Sequence, residues 1–224
     1  MHLTLTCEYE LYRWRALSSV DPKTGLLDSE RSLWCTSEDA IANVSVTAAE
    51  IEMRSQIQMA LDNGIDVTHI DSHMGTVLNP KFLTSYLELA QEFNIVAFLP
   101  KLNREELTAL GLGEHADVYL KMFANLEEKG TPLINHVILD TMGAHPNKLE
   151  YYCNRFAEIK PGLTHFLFHP AKVSPELKAI TPDSASWRDL DFGAFTNPHI
   201  KECVEKYDLK IIGYKEIRDY IRNQ

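Results

Sequence analysis

The sequence predicts an α/β fold built on a parallel sheet, open or closed. Segments with the period of a strand alternate with segments with the period of a helix along the chain, which is the pattern of parallel βα units. The 224 residues are 45% hydrophobic and 24% charged, an ordinary globular composition. Because no repeat, low-complexity tract or linker interrupts this alternation, we expect one domain over residues 1–224.

The first predicted element is a strand over residues 2–6, "HLTLT", with a histidine and two threonines on one face. Residues 7–36 are irregular and contain the turn signal "DPKTG"; connections of this length are often functional. A helix is predicted over residues 47–64, with Thr47 as its N-cap and a glycine at its end.

The rest of the chain continues the alternation. Further strands are predicted over residues 66–71, 95–100, 135–140, 163–170 and 209–214. Further helices are predicted over residues 79–94, 104–110, 116–130, 147–160, 196–208 and 215–223. Asn79 is the N-cap of the first of these, with Pro80 in its first turn.

Charge and composition exclude several function classes. A net charge of −10 argues against a nucleic-acid partner, since nucleic acids bind basic surfaces. The sequence shows no signal peptide and no apolar run long enough to cross a membrane. The four cysteines have no framework spacing, so we expect reduced thiols and a cytoplasmic protein. The nucleotide-binding and serine-hydrolase motifs are absent.

The stretch "THIDSHMGT" contains several closely spaced side chains that can bind a metal ion or transfer protons. In a strand, His69, Asp71 and His73 point to one face. Imidazole and carboxylate groups together suit a divalent cation. Hydrogen-bonded polar residues at a strand end would produce the same pattern, so spacing alone leaves both interpretations open.

Two other histidines flank predicted strands. His169 closes the strand at 163–170 directly before a proline, and active sites of parallel α/β folds gather at the carboxyl ends of strands. His2 instead opens its strand. The remaining histidines are expected to be surface or hydrogen-bonded residues.

Taken in order, five segments resemble the YdjC-like family, also called ChbG/HpnK-type carbohydrate deacetylases. These are "HLTLT", "THIDSHMGT", "HFLFHPA" with "PELKAITPD", "WRDLDF" and "IIGYKEI". The loop segments "YRWRAL" and "GLLDSERSLW" also look like the long first loop of that family. The match runs over nearly the whole chain.

The resemblance implies a distorted (β/α) barrel of the TIM type and removal of acetyl groups from N-acetylated sugars such as chitooligosaccharides. It also implies a divalent metal ion, Mg²⁺ or Zn²⁺, with His2 and His73 as ligands. His169 looks like the acid/base histidine, and Asp71 would support the metal site or orient His73. We assign sugar binding to Arg13, Trp14 and Arg188, because aromatic faces and guanidinium groups suit hydroxyl-rich ligands.

One family feature is missing from the chain. Members begin with a strand bearing an "NADDFG"-like motif, whose aspartates supply a metal ligand and a base, and this chain contains no "DDFG". We therefore expect the family's N-terminal βα unit to be absent and the metal site to lack one ligand. Three alternatives stay open: an inactive relative that only binds a carbohydrate or partner, another metal-dependent barrel hydrolase such as a phosphoesterase, and a homo-oligomer whose partner covers an open sheet edge.

Overall fold

The computed structural model describes residues 1–223, which contain five short strands and ten α-helices. The strands are β1 (His2–Leu3), β2 (His69–Ser72), β3 (Val96–Ala97), β4 (His136–Ile138) and β5 (Thr164–Phe166). The helices are α1 (Ser37–Asn43), α2 (Val46–Asp62), α3 (Pro80–Glu92), α4 (Arg104–Ala109), α5 (Ala116–Glu128), α6 (Lys148–Ala157), α7 (Pro175–Ile180), α8 (Ala185–Thr196), α9 (Pro198–Lys206) and α10 (Tyr214–Arg222).

The chain divides into two compact units. The first unit contains residues 1–99 together with the C-terminal segment that starts at Gly213. The second unit runs from Pro100 to Ile212. The expectation of one domain over residues 1–224 stays a prediction.

In the first unit, β1, β2 and β3 form a parallel sheet in that order. Leu3 of β1 and Ile70 of β2 lie on one face of this sheet, and both are fully buried. Helices α2 and α3 pack against each other. Tyr86 of α3 is fully buried, and its hydroxyl donates to the carbonyl of Ile70 at 2.7 Å. This hydrogen bond ties a helix to the strand that carries the candidate site.

The long segment between β1 and α1 is irregular, as predicted, and a buried carboxylate holds part of it against α2. Glu52 of α2 accepts hydrogen bonds from the backbone N–H groups of Leu17, at 3.0 Å, and Ser18, at 2.8 Å. The Ser18 hydroxyl donates to the same carboxylate at 2.6 Å. A buried carboxylate is unfavourable without hydrogen-bond partners, and the loop supplies them. The Glu52 side chain therefore stabilises this part of the loop.

In the second unit, β4 and β5 pair in parallel, with Val137 opposite His165. Helix α6 packs against both α8 and α9. The core between these helices includes the buried aromatic side chains of Tyr152 and Phe156. The α/β class with parallel strands is therefore confirmed in both units. The strands of residues 1–223 form a sheet of three and a sheet of two, with no closed barrel among them, so the barrel stays a prediction.

Several element boundaries differ from the predicted ones. Helix α2 begins at Val46 with Ser45 as its N-cap, because the Ser45 hydroxyl accepts from the Ala48 N–H, and Thr47 lies inside the helix. The predicted strand over 209–214 is wrong: residues 209–213 belong to no strand, and α10 begins at residue 214. Helices α1, α7 and α8 were not predicted, since none of them shows a clean helical stripe.

Candidate functional site

The site in the first unit starts from the pairing of β1 with β2. In this parallel pair, His2 is the register partner of Asp71. The two side chains meet on one face of the sheet, and Nδ1 of His2 donates to Oδ1 of Asp71 at 2.9 Å. The His2 side chain is 54% exposed, whereas that of Asp71 is 22% exposed, so the pair lies at an edge that solvent reaches.

His73 lies beside this pair, although it is no longer in the strand. Residue 73 begins a 3₁₀ turn over His73–Leu78, in which Met74 and Gly75 both have positive φ. The turn places the His73 ring next to His2, with 3.1 Å between Nδ1 of His73 and Nε2 of His2. The ring planes are nearly perpendicular, at 76°.

A fourth member of the site, Glu8, was not predicted. Its Oε2 accepts a hydrogen bond from Nε2 of His73 at 2.7 Å. Burial raises the pKa of the Glu8 carboxyl, but the hydrogen bond from His73 and further hydrogen bonds outweigh it, so this pKa lies below its usual value. Glu8 lies in the irregular segment after β1, where no periodicity identifies a face. Its closeness to "HLTLT" was the only signal in the sequence.

Asp71 is ionised at neutral pH for similar reasons. Burial raises its pKa, but the hydrogen bond and the charge of His2 lower it further, so the pKa lies below the usual 3.8. We expected Asp71 to support the metal site or to orient His73. In the structure it contacts His2, because the strand register pairs these two residues, and Glu8 contacts His73 instead.

Two aromatic residues border the carboxylate. The ring of Tyr214, the first residue of α10, stacks on His69 with 3.9 Å between centroids and 12° between planes. Burial and the nearby charge of Asp71 raise the pKa of the Tyr214 hydroxyl. Burial raises the pKa of Tyr86 well above its usual value, and Asp71 adds to that effect. Both phenols stay protonated, so Asp71 remains the ionised group on this side.

Arg13 and Trp14 lie on the loop of the first unit. The guanidinium of Arg13 donates to Asp28 at 2.6 Å and to the Leu33 carbonyl at 2.7 Å. The Trp14 ring makes edge contacts with Tyr9 and Tyr12. These contacts give Arg13 a structural role within the loop, and the assignment of both residues to sugar binding stays a prediction.

His169 and Arg188 belong to the second unit. Oδ2 of Asp191, a fully buried carboxylate of α8, accepts a hydrogen bond from the backbone N–H of His169 at 3.2 Å. The His169 ring meets the edge of Trp187 with 5.9 Å between centroids. The Arg188 backbone carbonyl accepts from the Ala171 N–H at 3.1 Å. The segment after β5 is therefore held onto α8, with Arg188 close to it.

Comparison with known families decides the relationship. The model of the YdjC family, described as YdjC-like protein, matches residues 1–206. The chain belongs to the YdjC-like family. The resemblance carried by the sequence motifs is thereby confirmed.

Two curated proteins similar to this YdjC-like chain are both named carbohydrate deacetylase. One, from Thermus thermophilus, is 29% identical over 212 residues, which cover 92% of this chain and 73% of the relative. The other, from Thermoanaerobacter pseudethanolicus, is 22% identical over 204 residues, covering 91% of this chain and 74% of the relative.

A solved structure shares the fold of this YdjC-like chain. It is a protein of Enterococcus faecalis V583 named as a candidate cellobiose-phosphate cleavage protein. The TM-score is 0.73 and the sequence identity 17%, over 96% of this chain and 76% of the other. At this identity, the likeness shows the fold alone.

The donor set of the YdjC-like chain fits a divalent cation. Each imidazole has an outer nitrogen that faces a carboxylate and an inner nitrogen that faces the other ring. The outer nitrogen of His2 is Nδ1, which donates to Asp71, and the outer nitrogen of His73 is Nε2, which donates to Glu8. When both rings are neutral, their inner nitrogens therefore present lone pairs to each other across 3.1 Å. Two nitrogens bound to one tetrahedral Zn²⁺ at about 2.0–2.1 Å would be about 3.3 Å apart. Carboxylates on the outer nitrogens are the usual support of metal-bound histidines.

Two of the four cysteines are cross-linked. Cys153 and Cys203 form a disulfide, so the expectation of four reduced thiols is wrong for this pair. The two cysteines are 50 positions apart in the sequence, and they meet because α6 and α9 pack together, which no local pattern indicates. Cys7 and Cys35 are free cysteines.

Among residues 1–223, no helix has the length and apolar character needed to span a bilayer. The cytoplasmic location stays a prediction.

Proposed function

We propose that this chain is a metal-dependent carbohydrate deacetylase that hydrolyses the acetamide of N-acetylated sugars of the chitooligosaccharide type. The observation that carries the proposal is the facing pair of imidazole nitrogens, His2 Nε2 and His73 Nδ1, 3.1 Å apart with a carboxylate behind each ring. The shared name of the curated relatives supports the reaction class.

His2 and His73 would hold the cation, Mg²⁺ or Zn²⁺, and nitrogen ligands favour Zn²⁺ of the two. When bound, such a cation polarises a carbonyl oxygen and lowers the pKa of a water molecule. Asp71 keeps Nδ1 of His2 protonated, and Glu8 keeps Nε2 of His73 protonated, so each ring offers its inner nitrogen. In the neutral form of each ring, these carboxylates therefore select the tautomer whose inner nitrogen carries the lone pair.

The proton transfers require one base and one acid. Oδ1 of Asp71 accepts a hydrogen bond from His2, so we assign Oδ2, which lies 4.0 Å from Nε2 of His69, to accept the proton of the attacking water. Its lowered pKa keeps Asp71 ionised at neutral pH, as a base must be. We assign the acid role to His169, which in its protonated form delivers a proton to the departing amine. Asp191 and Trp187 position His169 from α8.

The test is release of acetate from diacetylchitobiose by the full chain, first stripped with a chelator and then supplied with Mg²⁺, Zn²⁺, Mn²⁺ or Co²⁺. We expect His169→Ala to lose at least about 10²-fold in kcat/KM, the usual contribution of a positioned acid or base. His73→Ala removes a proposed metal ligand and should lose activity as well. His115→Ala, at an exposed histidine of the second unit, is the matched control and should keep the parent rate.

Two results would overturn the proposal. One is acetate release by His73→Ala at the parent rate. The other is the absence of release from every N-acetylated sugar with every metal. If the folded chain still binds the sugar without hydrolysing it, the inactive-relative alternative replaces the proposal; calorimetry with the intact disaccharide measures that binding. Hydrolysis of a sugar phosphate in place of the acetamide would favour the phosphoesterase alternative.

A further inference from the structure

The second unit contains a cluster of two cysteines and a histidine, residue types that can ligate metals, which the proposed deacetylase does not use. Cys153, His199 and Cys203 each offer one ligand atom, and these atoms all lie within 4.8 Å of one another. The two cysteines are joined as a disulfide with 5.5 Å between their Cα atoms. The cluster shares no residue with the histidine site of the first unit.

Helix geometry explains why these three side chains meet. His199 and Cys203 are four residues apart on α9 and therefore lie on one face of that helix. Cys153 lies on α6, which packs against α9. Asn197 caps α9 by accepting from the His199 N–H at 2.9 Å, so the first turn that carries His199 is well defined. The packing of α6 on α9 thus brings the three groups together.

The histidine is already oriented. Nδ1 of His199 donates to Oε2 of Glu202 at 2.7 Å, which leaves Nε2 as its ligand atom. A carboxylate on the far nitrogen is the arrangement that commonly supports a metal-bound histidine. Burial is graded across the cluster, because Cys203 is 5% exposed, Cys153 is half-buried and His199 is exposed. A small reductant and a metal ion can both approach from the His199 side.

We propose that reduction of the Cys153–Cys203 disulfide converts this cluster into a binding site for a thiolate-preferring divalent cation of the Zn²⁺ class. In the reduction, a dithiol supplies two electrons and two protons: the Cys153–Cys203 bond breaks, two thiols form, and the dithiol closes to its own disulfide. Zn²⁺ then replaces the two thiol protons and binds both sulfurs and the His199 imidazole.

The two states exclude each other, because the oxidised sulfurs are no longer thiolates, the form that ligates metals. Cys₂His with one further position is a known ligand set for Zn²⁺, and sulfur together with imidazole disfavours Mg²⁺. The helix pair α6–α9 is therefore cross-linked covalently when oxidised and by metal when reduced. This inference does not depend on the deacetylase proposal, since no step of that reaction uses these residues.

Cobalt is the probe that separates this cluster from the histidine site. Co²⁺ bound by thiolate shows a sulfur-to-metal charge-transfer absorption, which a site made only of histidine and carboxylate lacks. The full chain is titrated with Co²⁺ before and after reduction by a phosphine, with thiols counted by alkylation in each state. We expect the charge-transfer band only after reduction, with one more equivalent of Co²⁺ bound than in the oxidised chain and loss of the band on addition of Zn²⁺.

Variants assign the ligands. Cys153→Ser should abolish the band, and His199→Ala should weaken Co²⁺ binding at least about tenfold, with Glu202→Gln weakening it by a smaller factor. Cys35→Ser and His145→Ala are the controls and should leave the band unchanged. Because His199 is exposed, its variant stays informative if a cysteine variant does not fold.

Four results would overturn the proposal. The first three are reduced, folded protein without the band, a band that persists in Cys153→Ser, and a Co²⁺ affinity that His199→Ala leaves unchanged. A disulfide that the phosphine cannot reduce in folded protein would also overturn it, because the reduced site would then never form.

Discussion

Glu8 accepts a hydrogen bond from His73, with 2.7 Å between Oε2 and Nε2. Together with the 2.9 Å contact between Asp71 and His2, this places one carboxylate behind each of two facing imidazoles. Contacts between the four side chains run from Asp71 through His2 and His73 to Glu8, across residues that are up to 71 positions apart. The candidate metal site is therefore supported on both sides.

The first prediction concerns the role of Glu8. Glu8→Gln keeps the shape of the side chain but removes its charge, so the His73 tautomer and the local negative potential are less well defined. We expect affinity for Zn²⁺ to fall about 10–100-fold, the usual effect of losing a supporting carboxylate. Calorimetry on the metal-free chain measures it. Glu10→Gln, at an exposed neighbour in the same loop, should leave the affinity unchanged. Equal affinities for both variants would show that Glu8 has no part in the site.

The second prediction concerns Asp28, which accepts from Arg13 and from the backbone N–H groups of Glu30 and Ser32. Burial raises the pKa of Asp28, but these hydrogen bonds and the Arg13 charge lower it below the usual 3.8. A carboxyl whose folded-state pKa is depressed adds stability above the unfolded value and loses it as pH falls through the folded value. Asp28→Asn should therefore cost about 1–3 kcal/mol of unfolding free energy at neutral pH.

The pH dependence provides the check on Asp28. Urea denaturation measures the free energy of unfolding of the parent and of Asp28→Asn. The difference between the two should be constant near neutral pH and should shrink below about pH 3.8. Glu30→Gln removes the exposed partner of the same arginine and should cost less than about 0.5 kcal/mol. If the difference in unfolding free energy does not change with pH, the ionised Asp28 carboxylate is not its source.

The third prediction concerns the buried pair of the second unit. Nζ of Lys148 lies 2.9 Å from Oδ1 of Asp191, and the side chains are 2% and 0% exposed. Tyr152 donates to the same oxygen at 2.6 Å. Asp191→Ala would leave the Lys148 ammonium buried without its carboxylate, so we expect a loss of about 3–5 kcal/mol in unfolding free energy. Asp183→Ala, at an exposed position, should change it by less than about 0.5 kcal/mol. A loss below about 1 kcal/mol for Asp191→Ala would mean that the pair adds little.

The fourth prediction concerns Gly25, which has φ of +71° and packs against the end of α1. A Cβ at this position would lie 2.0 Å from the Asn43 carbonyl oxygen, a backbone atom that cannot rotate away. Gly25→Ala should therefore cost about 2–5 kcal/mol, from the left-handed backbone and the clash together. Gly64→Ala has a similar φ of +77° but meets no atom within 4 Å, so it isolates the backbone cost of about 1–2 kcal/mol. Equal melting temperatures of the two variants would contradict the packing argument.

Local signals were sufficient for the elements that have clear ends. Asn79 with Pro80 marked the start of α3, and the cap is observed with the Asn79 side chain accepting from the Lys81 N–H. The strand over 209–214 failed because an apolar run alone does not supply a partner strand: Ile211 is 78% exposed. The first strand shrank to two residues because the Thr4 backbone N–H and carbonyl bind the Gln56 side chain.

The sequence by itself determined the α/β class, the family and the three residues His2, Asp71 and His73, because alternation and motif order are properties of the chain in one dimension. Only the tertiary structure decided which carboxylate supports which imidazole. Strand register assigns Asp71 to His2, and a loop without periodicity brings Glu8 to His73. Packing of α6 on α9 likewise decides that Cys153 meets Cys203. Contacts between residues 50 or more positions apart depend on packing, which local periodicity does not encode.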